Sequence, residues 1–244
     1  MSDHHSHHSA NTHLHHYEEH FTGSERVRDI VIGMSDGLTV PFALAAGLTG
    51  AVASNWIIVT AGIAEIIAGS IAMGLGGYLA GKTEYDHYHS ELKREYQETV
   101  EKPEAEKREI REILEEYGIS PQTQEAVVEE LSKNQDKWVQ FMMKFELGLE
   151  EPELNQARIS AAFIAGSYII GGFVPLIPYM FTKTPAEGLI YSVVITLFAL
   201  FIFGFYKSKA TGQPPIGGAA RTMFIGAIAA GAAFIIAKQL SHIG

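Results

Sequence analysis

A thioether and a carboxylate stand four residues apart in Phe141-Met142-Met143-Lys144-Phe145-Glu146. On a helix, Met142 and Glu146 share a face. Sulfur and oxygen together suit a borderline-soft divalent cation such as Fe²⁺. Two carboxylate pairs lie upstream, Glu95 with Glu98 and Glu106 with Glu109, each with a spacing of three. Each pair projects from one helical face. A turn at Pro103 would fold the two stretches into a hairpin and bring both pairs towards Met142 and Glu146. Carboxylates held so close repel one another unless a cation neutralises them. Glu-x-x-Glu spacing alone is common on solvated helices. Glu91, Glu101, Glu112, Glu115, Glu129 and Glu130 read as such a surface, and the methionine pair is what sets the other glutamates apart.

A second group of acids lies in apolar sequence. Asp36 sits within Gly33-Met34-Ser35-Asp36-Gly37-Leu38-Thr39-Val40-Pro41, with Asp29 seven residues earlier on the same helical face. Glu65 lies midway along the next apolar run, and Met73 follows it by two turns. A carboxylate inside a bilayer is costly unless paired or hydrated, so it marks an ion or proton path. Met73 alone would read as packing; beside these acids it offers a soft sulfur to the same path.

These residues need elements to position them. Five segments, 27–51, 55–82, 157–181, 187–206 and 217–240, are apolar and long enough to cross a ~30 Å hydrocarbon core as helices. Arg26 and Arg28 precede the first, the insert after the second is rich in Lys and Arg, and Lys207, Lys209 and Arg221 lie between the fourth and fifth. Ala51–Ser54 has no basic residue, and Lys183 stands alone after the third span. The bias puts the N-terminus, the insert and the 207–216 loop in the cytosol. Glycines at 69, 74, 76, 77 and 81 give the second span a smooth face for close helix contact. Gly171-Gly172-Phe173-Val174-Pro175-Leu176-Ile177-Pro178 is expected to interrupt the third span, freeing carbonyls to line a cavity.

The insert reads as helical throughout. Glu84–Glu101 continues the second span until Pro103, and Glu104–Tyr117 ends at Gly118. Ser120-Pro121 opens a third helix, and a fourth covers Asp136–Leu149. Trp138, Phe141 and Phe145 share a face and form its expected core.

The chain has 244 residues and a net charge of −10, and residues 84–153 alone hold 20 acidic against 9 basic residues, a local −11. Nucleic acid is excluded as a partner, because its binding needs a basic face. Cysteine is absent, which removes disulfides, thiolate metal sites and a cysteine nucleophile. The first twenty residues hold eight histidines, at 4, 5, 7, 8, 13, 15, 16 and 20. That tract is read as disordered, with metal capture and a plain solvated tail standing as equal alternatives. No cleavable leader pattern opens the chain.

Ser35-Asp36-Gly37-Leu38-Thr39-Val40-Pro41-Phe42-Ala43-Leu44, Met73-Gly74-Leu75-Gly76-Gly77-Tyr78, Phe141–Gly148 and Pro175-Leu176-Ile177-Pro178-Tyr179, in that order, resemble the vacuolar iron transporter family. The resemblance implies a homodimer in membrane lipid that exports Fe²⁺, and often Mn²⁺, from the cytosol in exchange for protons. It implies that Asp36 and Met73 are ligands on the ion path and that Glu65 is a path acid carrying protons. It makes Glu95, Glu98, Glu106, Glu109, Met142 and Glu146 a cytosolic metal site, with Met143 beside them.

The expected fold is an all-α membrane protein, five transmembrane helices with a cytosolic helical metal-binding insert between the second and third. Its parts are a His-rich tail (1–22), helices 1 and 2 (23–83), the acidic insert (84–153) and helices 3 to 5 (154–244). No resident cofactor is expected. The rival readings are a membrane-bound di-iron enzyme and a membrane-anchored metal sensor. A di-iron site needs two Glu-x-x-His elements, and only Glu84–His87 supplies one, since residues 90–241 contain no histidine. Asp36 and Glu65 within the spans count against the sensor. The expected location is a bacterial inner membrane, or a vacuolar membrane in a eukaryote.

Overall fold

The computed structural model describes residues 23–153 and 155–241 of the chain. The histidine tract and the proposed tail, 1–22, lie outside the described residues. Regular structure among the described residues is helical: α1 (Gly23–Ala51), α2 (Asn55–Glu101), α3 (Pro103–Glu116), α4 (Pro121–Ser132), α5 (Gln135–Phe145), α6 (Gln156–Phe181), α7 (Pro185–Ala210) and α8 (Pro215–Leu240). Five of them, α1, α2, α6, α7 and α8, are long and apolar enough to cross a membrane, as expected of an integral membrane protein.

Helix α2 has 47 residues. At a rise of ~1.5 Å per residue it is ~70 Å long, more than twice the hydrocarbon core. The apolar part, 55–82, is enough to span, and the charged remainder carries on past the bilayer without a break. Lys102 ends it with φ −135° and ψ 47°, and Pro103 starts α3. The pyrrolidine ring fits the first turn of α3, where no backbone donor is needed, and blocks continuation of α2.

Helix α6 packs between α1 and α2. Gly33 and Gly37 bring the α1 backbone against it: a Cβ at Gly33 would lie 2.2 Å from the Ile164 carbonyl oxygen, and one at Gly37 2.4 Å from that of Tyr168. On α2, Gly74 and Gly81 face Ala161 and Ala157 in the same way, whereas Gly76 faces open space. Small residues let bilayer helices gain close van der Waals contact where no hydrophobic drive separates protein from lipid. Ala45, Ile58, Val59, Ile66, Leu176 and Tyr179 form the core of these three helices. Phe42, Ala46 and Ala230 join α1 to α8. The two ends are pinned by polar contacts. Asn55 Nδ2 donates to Thr182 O at 2.7 Å at one end, and Gln156 donates to Glu25 at the other, beside the insert.

The Gly171–Pro178 stretch does not interrupt its helix. Helix α6 runs through both prolines to Phe181. Neighbours support the stretch: Ser192 Oγ donates to Pro175 O at 2.8 Å, and Thr182 Oγ1 to Pro178 O at 3.0 Å. The glycines serve close packing, since a Cβ at Gly171 would lie 2.9 Å from Leu38 N. Side-chain donors and tight neighbours hold prolines within membrane helices in this way.

The insert has its own apolar core of Ile110, Leu114, Val128, Trp138 and Met142. The expected Trp138–Phe141–Phe145 face is only partly right, because Phe145 is 48% exposed. Helix α5 stops at Phe145 rather than Leu149, with Glu146 as its C-cap and Gly148 at φ +63° turning the chain. The early stop frees Phe145 from the bundle, and Met142 takes the core position one turn after Trp138. Gly118, at φ +74°, ends α3 as expected.

Candidate metal centre

Three helices each bring one carboxylate to a common point in the insert. Glu95 comes from the extended end of α2, Glu106 from the first turn of α3 and Glu146 from the C-cap of α5. Their oxygens lie within 4.8 Å of one another. Glu95 and Glu106 are 2% and 3% exposed, and one oxygen of each, Oε2, is buried without a hydrogen-bond partner. Burial, then the neighbouring carboxylates, pushes both acids up to about 7 from an ordinary 4.5. Burial and Glu109 likewise raise Glu146, which is itself exposed on one side. A buried, unpartnered set of acids of one sign is what a cation would relieve.

The other expected ligands stand around this trio. Glu109 is half-buried and raised by burial and Glu98. Glu98 lies 3.1 Å from Lys102 Nζ and 3.5 Å from Arg94 Nε, so two cations already partner it. Met142 is fully buried in the apolar core, one turn before Glu146, while Ile110 of that core follows Glu106 by one turn. Two of the trio thus stand one turn from the apolar core, at Ile110 and Met142, and Met143 is buried as well. Arg94, unremarked in the sequence, spans the rim, at 2.6 Å from Glu91 and 3.8 Å from Glu95. The charge pattern Glu91-x-x-Arg94-Glu95-x-x-Glu98 was the signal for it. Glu91, read as a solvated charge, is largely covered at 16% exposure.

Two cavities lie near the junction of the insert and the bundle, the first rich in carboxylates and the second mostly apolar and walled by α1, α2 and α6. One, of about 540 Å³, is walled by Glu25, Glu84, His87, Glu150, Glu151 and Glu153 among others. The next, of about 440 Å³, shares Glu25, Glu84 and Gln156 with it and adds Asp29 and Met73. Asp29 is 1% exposed; its Oδ1 is 3.5 Å from Arg28 Nε and its Oδ2 has no hydrogen-bond partner. His87, of the lone Glu-x-x-His element, lies 3.9 Å from Glu91.

Deeper in the bundle, Tyr168 packs against Gly37 of α1 and Gly69 of α2. This puts Asp36 level with Gly69, one turn of α2 from Glu65 on one side and from Met73 on the other. Asp36, Glu65 and Met73 are all half-buried. Tyr168 Oη donates to Glu65 Oε1 at 2.5 Å, while Glu65 Oε2 is buried without a partner. Sequence reading missed Tyr168. The available signal was a mid-span tyrosine whose hydroxyl needs a partner away from water.

The VIT family model matches residues 27–238. Vacuolar iron transporter 1 of Arabidopsis thaliana is 58% identical over 93% of this chain and 91% of its own length. Vacuolar iron transporter 2 of Oryza sativa subsp. japonica is 54% identical, covering 93% of each. Protein CCC1 of Saccharomyces cerevisiae is 39% identical over 88% of this chain and 69% of its own length. These relatives are plant and fungal proteins, and they lend no support to the expected bacterial inner membrane.

Proposed function

The chain belongs to the VIT family, and from that premise we propose that it carries Fe²⁺ out of the cytosol across a membrane in exchange for protons. Mn²⁺ is the second proposed cargo. Relatives named as iron transporters support the metal. The observation that carries the reading is the convergence of Glu95, Glu106 and Glu146 in the insert, together with two cavities that share Glu25, Glu84 and Gln156, the second of which reaches Met73.

The insert, on the cytosolic side by the loop charges, collects the ion at Glu95, Glu106 and Glu146, with Glu98 and Glu109 adding negative field and Met142 a thioether. Buried carboxylates that repel one another, Glu95 and Glu106 foremost, bind a divalent cation by losing that repulsion and releasing protons. Methionine sulfur disfavours Ca²⁺ and Mg²⁺, which take oxygen ligands. The ion then passes the two cavities and Asp29 to Met73 and Asp36. Protonation of Glu65 from the far side helps to release it. A homodimer is the proposed assembly, and a vacuolar membrane the proposed location. The protein acts as a transporter rather than an enzyme, since the Glu84–His87 element has no second Glu-x-x-His in 90–241 to complete a di-iron site.

Flux into sealed liposomes tests the reading. With the insert facing outward, an inside-acid gradient should accelerate Fe²⁺ entry, and a trapped pH dye should report protons leaving. Entry that is indifferent to the gradient, with a silent dye, would make the protein a uniporter. Absence of Fe²⁺ entry altogether would leave a sensor or enzyme.

A further inference from the structure

Tyr168 lies in the middle of α6 and is 2% exposed. Its hydroxyl donates to Glu65 at 2.5 Å. The ring sits over Gly69, where a Cβ would be 2.4 Å from Oη and 2.5 Å from Cζ. Its backbone sits against Gly37, next to Asp36. One residue thus joins the two helices that carry the acids of the proposed path, by its side chain to α2 and by its backbone to α1. The bond fixes one oxygen of Glu65 and leaves Oε2 buried and unpartnered.

We infer that Tyr168 is a positioning residue for transport: its hydroxyl holds the Glu65 carboxylate so that the free oxygen stays turned to the path. The inference rests on Glu65 being a path acid. A carboxylate on a flexible stem has several rotamers, and a strong donor at one oxygen removes most of them. The glycine at 69 is what allows the ring close enough to make that bond.

Tyr168→Phe keeps the ring beside Gly69 and deletes only the hydroxyl. Reconstituted full-length protein is assayed for Fe²⁺ uptake as the parent, Tyr168→Phe, Glu65→Gln and the double variant. Tyr168→Phe should lower the maximal rate roughly tenfold or more, the effect of losing a hydrogen bond to a charged group, with KM for Fe²⁺ little changed. The double variant should be no slower than Glu65→Gln alone, because Gln can still accept the hydroxyl's bond but is no acid for it to position. Glu65→Asp, which keeps the acid but withdraws it by one methylene, should show the same loss as Tyr168→Phe. The acceleration by an inside-acid gradient should shrink in Tyr168→Phe, whereas a merely structural defect would slow uptake with and without the gradient alike. Multiplying losses in the double variant would overturn the inference. So would Tyr168→Phe or Glu65→Asp working within about twofold of the parent. A parent that ignores the gradient would sink proton exchange, and the double-variant comparison, made without a gradient, would still decide the role of Tyr168.

Discussion

Glu95 and Glu106 face one another across the single-residue break at Lys102, both buried and each with an unpartnered oxygen. The turn that ends α2 and starts α3 returns the chain at once, so acids eleven residues apart meet in a covered space. Two like charges in such a space oppose folding unless protonated or bridged by a cation.

The pH dependence follows from that pair. Burial and neighbouring carboxylates raise both acids from 4.5 to about 7. A carboxyl whose pKa rises on folding favours the folded state while protonated. The contribution is complete below the unfolded value of 4.5 and is lost as pH climbs through about 7. The double variant Glu95→Gln, Glu106→Gln lacks this titration. Without metal, its melting temperature relative to the parent should rise as pH goes from about 5 to about 7.5. A pH-independent difference would mean that the two acids titrate as ordinary solvated groups.

Metal should reverse the penalty. Fe²⁺ or Mn²⁺ should raise the melting temperature of the parent at neutral pH and release protons on binding, seen as a calorimetric heat that varies with the buffer. The shift should vanish in Glu95→Gln, Glu106→Gln, and transport should slow without stopping. An equal shift in the double variant would move the site elsewhere.

Asp36→Ala should abolish Fe²⁺ uptake by liposomes while the protein still inserts and elutes as the parent does. Replacing a half-buried carboxylate by a methyl removes the hard ligand of the proposed path without adding bulk. Uptake near the parental rate would remove Asp36 from the path.

Gly69→Ala should act through Tyr168. A methyl 2.4 Å from its hydroxyl must displace the ring or spread α2 from α6, and overpacking of this kind costs about 1–3 kcal/mol. Both melting temperature and uptake should fall. Gly166→Ala, on the same helix as Tyr168 with nothing within 4 Å of the added carbon, is the control and should leave both unchanged. Equal behaviour of the two variants would mean that the Tyr168 ring does not depend on the space at Gly69.

The sequence by itself determined the five spans, the unbroken run of α2 into the insert and the breaks at Pro103 and Gly118. Those are local properties: twenty apolar residues must be helical in lipid, and a proline or a positive-φ glycine acts within one turn. It also named the acids that meet, because Glu95 and Glu106 flank the only proline able to fold the hairpin. Tertiary structure decided which acids are buried together and which are paired off. Spacing made Glu95 and Glu98 equivalent, yet packing buries one and leaves the other to Lys102 and Arg94. It decided that Phe145 turns outward and that Pro175 and Pro178 stay within α6, because both outcomes depend on neighbours from other helices. It alone brought Tyr168 to Glu65, 103 residues apart in the chain. No periodicity in one segment encodes which residue of another it will touch, and that pairing is fixed only when glycine-lined helices close on each other.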